Sequence, residues 1–261
     1  MNEIVKRPSK FWPPTALAVH SGFEEARLHR KQRLAATFRL FARYGFDQGL
    51  AGHVTVRDPE FHDRFWINPL GRFFGQIKVS DLQLVDLDGN VLVGERPINQ
   101  AGFVIHSAIH RARPDAVAAA HTHSTYGKAW STLGRLLDPL TQDAAAFYED
   151  HAIFEPYSGV VLKDGEGDRI VRTLGDKKAL ILKNHGLLTV GPTIEAAAWW
   201  FIAFDNAAHA QLLAEAAGKP QPIDHDTARL TRGQVGGHEG GAYSFQPLWE
   251  WIVEQEPDLL D

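Results

Sequence analysis

The chain has 261 residues, 44% of them hydrophobic and 23% charged, with a formal net charge of −5 and no cysteine. That length and apolar fraction suit one large domain or two small ones around a sizeable core. The acidic balance argues against a nucleic-acid partner, no apolar run nears the roughly 18 residues of a membrane span, and the lack of cysteine removes disulfides, thiolate nucleophiles and sulfur ligands together.

Residues 1–22 contain Phe11-Trp12-Pro13-Pro14 and read as an extended arm, because two prolines forbid a helix there. Its aromatics are expected to dock on the body or on a neighbouring subunit. Met1 to Lys10 is polar, without the apolar core of a signal peptide, so a cytoplasmic location is expected. A helix is predicted from Gly22 to Gly45, with Leu28, Leu34, Ala35, Phe38 and Phe41 at helical spacing. Strands follow at His53–Arg57 and Phe65–Ile67, the second stopped by the turn Asn68-Pro69-Leu70-Gly71. A hairpin turn at Asp88-Gly89-Asn90 separates the strand over Leu82–Leu87 from Val91–Val93. Asn99 caps a helix that ends before Pro114, and a strand then runs through Val117-Ala118-Ala119-Ala120 to His121.

Thr125 to Leu133 reads as a helix, whereas Leu140 to Tyr157 has no clear period. The pattern then predicts a strand over 159–162, a turn at Asp164-Gly165-Glu166-Gly167 and a short helix from Asp168 to Leu174. Ala179–Leu182 and Leu187–Val190 read as buried strands flanking Lys183-Asn184-His185-Gly186. A long helix spans Ala196 to Ala217, with Trp199, Trp200 and Phe204 as core side chains. The tail from Gly218 holds Gly233, Gly236, Gly237, Gly240 and Gly241, the last four around His238 and Glu239, and reads as a flexible flap or a docking segment. The whole predicts an α/β protein with a mixed sheet covered by helices, organised as an arm (1–22), a domain (23–217) and a tail (218–261).

The chemistry concentrates in His121-Thr122-His123. Side chains two apart on a strand share a face, so both imidazoles converge on one point, as two neutral ligands of a divalent metal do. With 13 histidines in the chain, chance alone supplies on the order of one His-x-His, and two solvated histidines at a strand end remain the competing reading. His185 is a third candidate ligand: a buried strand fixes its position and Gly186 clears room beside it. Three protein ligands leave positions open for water and substrate, the mark of a catalytic metal.

Taken in order, Gly52-His53-Val54-Thr55-Val56-Arg57, Ile67-Asn68-Pro69-Leu70-Gly71, Val85-Asp86-Leu87-Asp88-Gly89-Asn90, Ala118-Ala119-Ala120-His121-Thr122-His123-Ser124 and Asn184-His185-Gly186-Leu187 resemble the class II aldolase/adducin family. The resemblance runs from about Phe23 to Leu213. It implies a three-layer α/β/α sandwich around a mostly antiparallel sheet, usually a homotetramer with sites between subunits, and a divalent metal on His121, His123 and His185. Zinc is the first expectation, with manganese, iron or cobalt as alternatives. In family aldolases the metal stabilises an enediolate, and a glutamate four residues before the histidine matching His106 moves the proton; here that position is Gly102. The family's phosphate-binding side chains are likewise replaced, by His53, Leu70 and Gln100-Ala101. Asn68-Pro69-Leu70-Gly71 and Asn99-Gln100-Ala101-Gly102-Phe103 are closer to the adducin head domain and its bacterial relatives, yet this chain keeps the full histidine set.

These departures set the remaining candidates. His53 and His106 are candidate acid/base or ligand-orienting groups, and Tyr148 or Glu149 is a candidate replacement for the glutamate; a tyrosine lent by a neighbour is expected near Gln142. Asn68, Arg57, Gln100 and Gly102 are candidate substrate-binding positions, Arg57 equally a strand anchor. The resulting expectation is a metal-dependent lyase, by retro-aldol cleavage or decarboxylation, acting on a small non-phosphorylated oxygenated or carboxylate substrate. A non-catalytic adducin-like scaffold with a structural metal and a sugar epimerase are the alternatives.

Overall fold

The computed structural model describes residues 20–161 and 164–261. The expected arm lies almost wholly outside them. Eight strands form one sheet: β1 (His53–Arg57), β2 (Arg64–Ile67), β3 (Gln83–Asp86), β4 (Val91–Val93), β5 (Ala118–Thr122), β6 (His151–Phe154), β7 (Ala179–Leu182) and β8 (Gly186–Gly191). Their order is β4-β3-β2-β1-β5-β8-β7-β6, antiparallel at every pairing except the parallel β6–β7 pair.

The period-2 pattern sorts each strand onto two faces. Val54, Val56, Ala118, Ala120, Ala179, Ile181 and Leu187 join one core with α1 (Phe23–Arg43) and α6 (Ile194–Ala217). Ala119, Leu180, Leu182, Leu188 and Val190 face the other way, onto α2 (Gln100–Ala112) and α5 (Asp164–Leu174). The result is helix, sheet, helix, as expected. Two short helices, α3 (Thr125–Ser131) and α4 (Gln142–Ala145), follow β5. As read from the sequence, Asn99 caps α2, accepting from the Gly102 N–H at 3.0 Å.

Three expectations need correction, and glycine is behind two. The strand expected over 159–162 is absent among the described residues there; the edge strand is His151–Phe154, in the stretch without a clear period. Val160 is 69% exposed, while Val161 packs into the core beneath α2 and α5 without joining the sheet. The turn expected at 164–167 is the first turn of α5. There a Cβ on Gly167 would come within 2.7 Å of the Val104 carbonyl, so the glycine permits close crossing of α5 over α2. The glycine-rich tail is likewise helical, as α7 (His225–Val235) and α8 (His238–Gln255). A Cβ on Gly241 would meet the buried Trp200 ring at 2.8 Å, so α8 packs on α6 through a missing side chain. Phe245, Ile252 and Leu259 enter the main core, which places the tail on the body of its own chain.

Candidate metal centre

The antiparallel register brings the histidines together. His121 on β5 faces His53 on β1 and Leu188 on β8, and His123 lies just past the end of β5. His185 comes from the tight turn between β7 and β8, where its N–H donates to the Leu182 carbonyl at 2.9 Å and Asn184 adopts a left-handed φ of 59°. Gly186 lets that turn approach: a Cβ there would lie 3.1 Å from the Thr122 carbonyl. One ring nitrogen from each of His121, His123 and His185 falls within 4.8 Å of the other two.

The donor chemistry fits a divalent metal. His121 Nδ1–H donates to the Leu187 carbonyl at 2.7 Å, which fixes the tautomer and leaves Nε2 as a bare lone pair. That Nε2 is buried and has no hydrogen-bond partner among the described residues. His123 Nε2 and His185 Nε2 lie 3.0 Å apart, close enough to address one cation. Burial holds all three imidazoles below the ordinary histidine range, His185 at about 4, so they stand neutral as ligands must. Besides burial, neighbouring histidines and, at His123, Lys128 add to that lowering, while the Leu187 carbonyl opposes it at His121.

His53 and His106 do join this centre. The His53 ring is 5.0 Å from that of His121, and its Nδ1 is 2.8 Å from His106 Nε2. Gly102 lies directly against it: a Cβ there would sit 2.3 Å from His53 Cδ2. The space that the family resemblance gives to a glutamate is thus filled by the imidazole of His53. Asn68, just past β2, is buried, and its side-chain oxygen has no hydrogen-bond partner among the described residues, whereas Gln100 is exposed on the first turn of α2.

Other candidates are not brought to the triad of their own chain. Tyr148 contacts His225 through its hydroxyl at 2.8 Å, and Glu149 pairs with Arg229 at 3.0 Å. Both precede β6, and parallel pairing of β6 with β7 puts them at the end of the sheet opposite His185. Arg57 reaches the carbonyls of His62, His110 and Arg113, anchoring β1 to the end of α2. Thr55 was missed, although its place between His53 and Arg57 on one face of β1 was legible; its hydroxyl touches both His106 and His110. A separate cavity of about 550 Å³ between α6 and the α7–α8 junction is lined by Trp199, Trp200, Asn206, His238 and Glu239, without any triad residue. Trp199 packs against the main core, as read from the sequence, and also forms part of this cavity's wall.

Comparison with known proteins agrees with this geometry. Decarboxylase NovR of Streptomyces niveus is 51% identical over 243 residues, covering 92% of this chain and 90% of that protein. The 4-hydroxy-3-prenylphenylpyruvate oxygenase/4-hydroxy-3-prenylbenzoate synthase of Streptomyces roseochromogenus subsp. oscitans is also 51% identical, over 92% of this chain and 88% of its own length. The solved L-fuculose 1-phosphate aldolase of Glaciozyma antarctica PI12 superposes with a TM-score of 0.88 at 43% identity, over 94% of this chain and 96% of that one. Residues 32–212 match the Class II Aldolase and Adducin N-terminal domain, and the chain belongs to that family.

Proposed function

We propose that this protein is a divalent-metal-dependent carbon–carbon lyase that decarboxylates a small, non-phosphorylated substrate whose carboxylate stands one carbon away from a carbonyl, as in a 3-oxo acid. The observation that carries it is the convergent triad with the buried, unpartnered His121 Nε2. A metal held by His121, His123 and His185 would act as a Lewis acid on the substrate's oxygen atoms, stabilising enolate-like charge. The chain's own residues favour decarboxylation over aldol cleavage. Aldol chemistry needs a base to take a proton from a hydroxyl, and the position that the family resemblance gives to that glutamate is Gly102, packed against the His53 ring. Carbon dioxide leaves without that base, its bonding electrons passing to the carbonyl, and water supplies the final proton. Relatives at 51% identity named as a decarboxylase and a benzoate synthase support this reading over the scaffold and epimerase alternatives.

Zinc is the first metal proposed for a three-imidazole set. The relative named as an oxygenase favours a second reading, in which a redox-active metal such as iron serves an oxidative decarboxylation. A homo-oligomer is proposed on the family resemblance. The test is metal-free protein reloaded with zinc, manganese or iron, assayed for carbon dioxide release from aromatic 2-oxo and 3-oxo acids with and without oxygen. Release from a 3-oxo acid with zinc or manganese supports the lead reading, and iron- and oxygen-dependent release from a 2-oxo acid the second. Both fall if the protein binds no divalent metal, or if His121→Ala leaves metal content and turnover unchanged.

A further inference from the structure

His123 lies outside the sheet that positions its neighbour His121. The ladder between β5 and β8 ends at Thr122 and Leu187, so His123 stands one residue past β5 and one before Ser124, the N-cap of α3. Its place therefore depends on how the first turn of α3 is fastened. Gly127 packs down on β8 there. A Cβ on it would lie 2.6 Å from Ser124 Oγ and 2.7 Å from Cγ of Leu187, the residue whose carbonyl accepts from His121 Nδ1.

The first N–H groups of a helix need acceptors, and a serine at the N-cap ordinarily supplies one. Ser124 makes no such side-chain cap bond. The Gly127 N–H, three residues past the cap, donates instead to Asp205 Oδ1 at 2.8 Å, an acceptor on α6 that is 78 residues away. Asp205 is 2% exposed. Burial raises its carboxyl above the ordinary carboxylate value, while the Ser124 hydroxyl and the Gly127 N–H act on it in the opposite sense. A carboxylate is costly to bury unless it is hydrogen-bonded, and both of these groups belong to the start of α3. Asp205 thus caps α3 from another helix, at the turn that carries His123.

We propose that Asp205 is a positioning residue of the metal centre: by holding the first turn of α3 on α6, it sets His123 against His121 and His185. This rests on the metal-dependent lyase reading of the triad. Asp205 supplies no ligand atom and moves no proton. It acts through the backbone on which one ligand is mounted.

The test is a double-mutant cycle read in zinc affinity, by competition with a chromogenic chelator. Asp205→Leu keeps the volume of the side chain and removes the acceptor. It should weaken zinc about 10- to 100-fold, the range for groups that orient a metal ligand. Asp205→Asn keeps an oxygen for the Gly127 N–H and should stay within about threefold of wild type. In the His123→Ala background, Asp205→Leu should cost no further affinity, because the ligand through which it acts is gone. Cobalt-loaded Asp205→Leu should show the visible spectrum of His123→Ala protein, and Asp205→Asn that of wild type. Should Asp205→Leu not fold, Asp205→Ala takes its place in the same cycle. Zinc affinity unchanged in Asp205→Leu, an equal loss in Asp205→Asn, or an equal loss with and without His123 overturns the proposal and leaves the triad reading intact. A wild-type protein that binds no zinc overturns the lyase reading, and this inference with it.

Discussion

Lys178 offers the sharpest test of how the body holds its tail. Its side chain is 1% exposed, and the ammonium donates to the Ala146 carbonyl at 2.8 Å, the Gly236 carbonyl at 2.8 Å and Asp150 Oδ2 at 3.0 Å. It also lies 4.4 Å over the Trp200 ring. One buried cation thus ties β7 to the loop before β6 and to the α7–α8 junction, and burial lowers its pKa from the ordinary lysine value. Lys178→Met keeps the apolar stem and removes all three hydrogen bonds. Breaking a buried ion pair from one side costs about 3–5 kcal/mol. Asp150 retains Arg232 at 3.7 Å and some solvent, so the lower end applies, about 3 kcal/mol. At this chain length that corresponds to a Tm lowered by roughly 6 °C. Urea unfolding at pH 7 and calorimetry measure both. Adding Asp150→Asn should recover about 1 kcal/mol, because the orphaned charge goes with it. A loss under about 1 kcal/mol for Lys178→Met, or a further loss on adding Asp150→Asn, would refute the assignment of Lys178 as a buried lock.

Two further outcomes follow from the histidine-bearing elements. His110 is held at about 3 against an ordinary value of 6.5, so between these pH values the unfolded chain takes the proton and the native one does not. The stabilising contribution is complete above pH 6.5 and is lost as pH falls toward 3, about 2 kcal/mol by pH 5. His110→Phe should flatten the pH dependence of urea stability between pH 7.5 and 5 by about that amount, and equal slopes in the two proteins would contradict it. At Asn184, the left-handed φ of 59° favours Asn or Gly. Asn184→Ala should cost about 1 kcal/mol and weaken zinc binding through His185, with Asn184→Gly retaining both; identical behaviour of the two variants would show that the turn does not depend on this conformation.

What the chain determines locally is considerable. Alternation in His53–Arg57, the apolar runs ending at Ala120 and Leu182 and the Asn99 cap are local signals, and each element formed where it was read. The spacing of His121, His123 and His185 also sufficed to name a candidate ligand set, because two of the three share one strand face. Tertiary structure decided the rest. Gly165, Gly167, Gly240 and Gly241 look like loop residues, since each costs about 1 kcal/mol inside a helix. All four lie in helices, and at Gly167 on Val104 and Gly241 on Trp200 the helices cross so closely that no Cβ is admitted. Gly102 shows the same limit at the site. In the sequence it is only a vacant side-chain position. That the His53 ring fills the space, 53 residues from its His106 partner, follows from antiparallel pairing of β1 with β5 beneath α2, a long-range contact that no local period encodes.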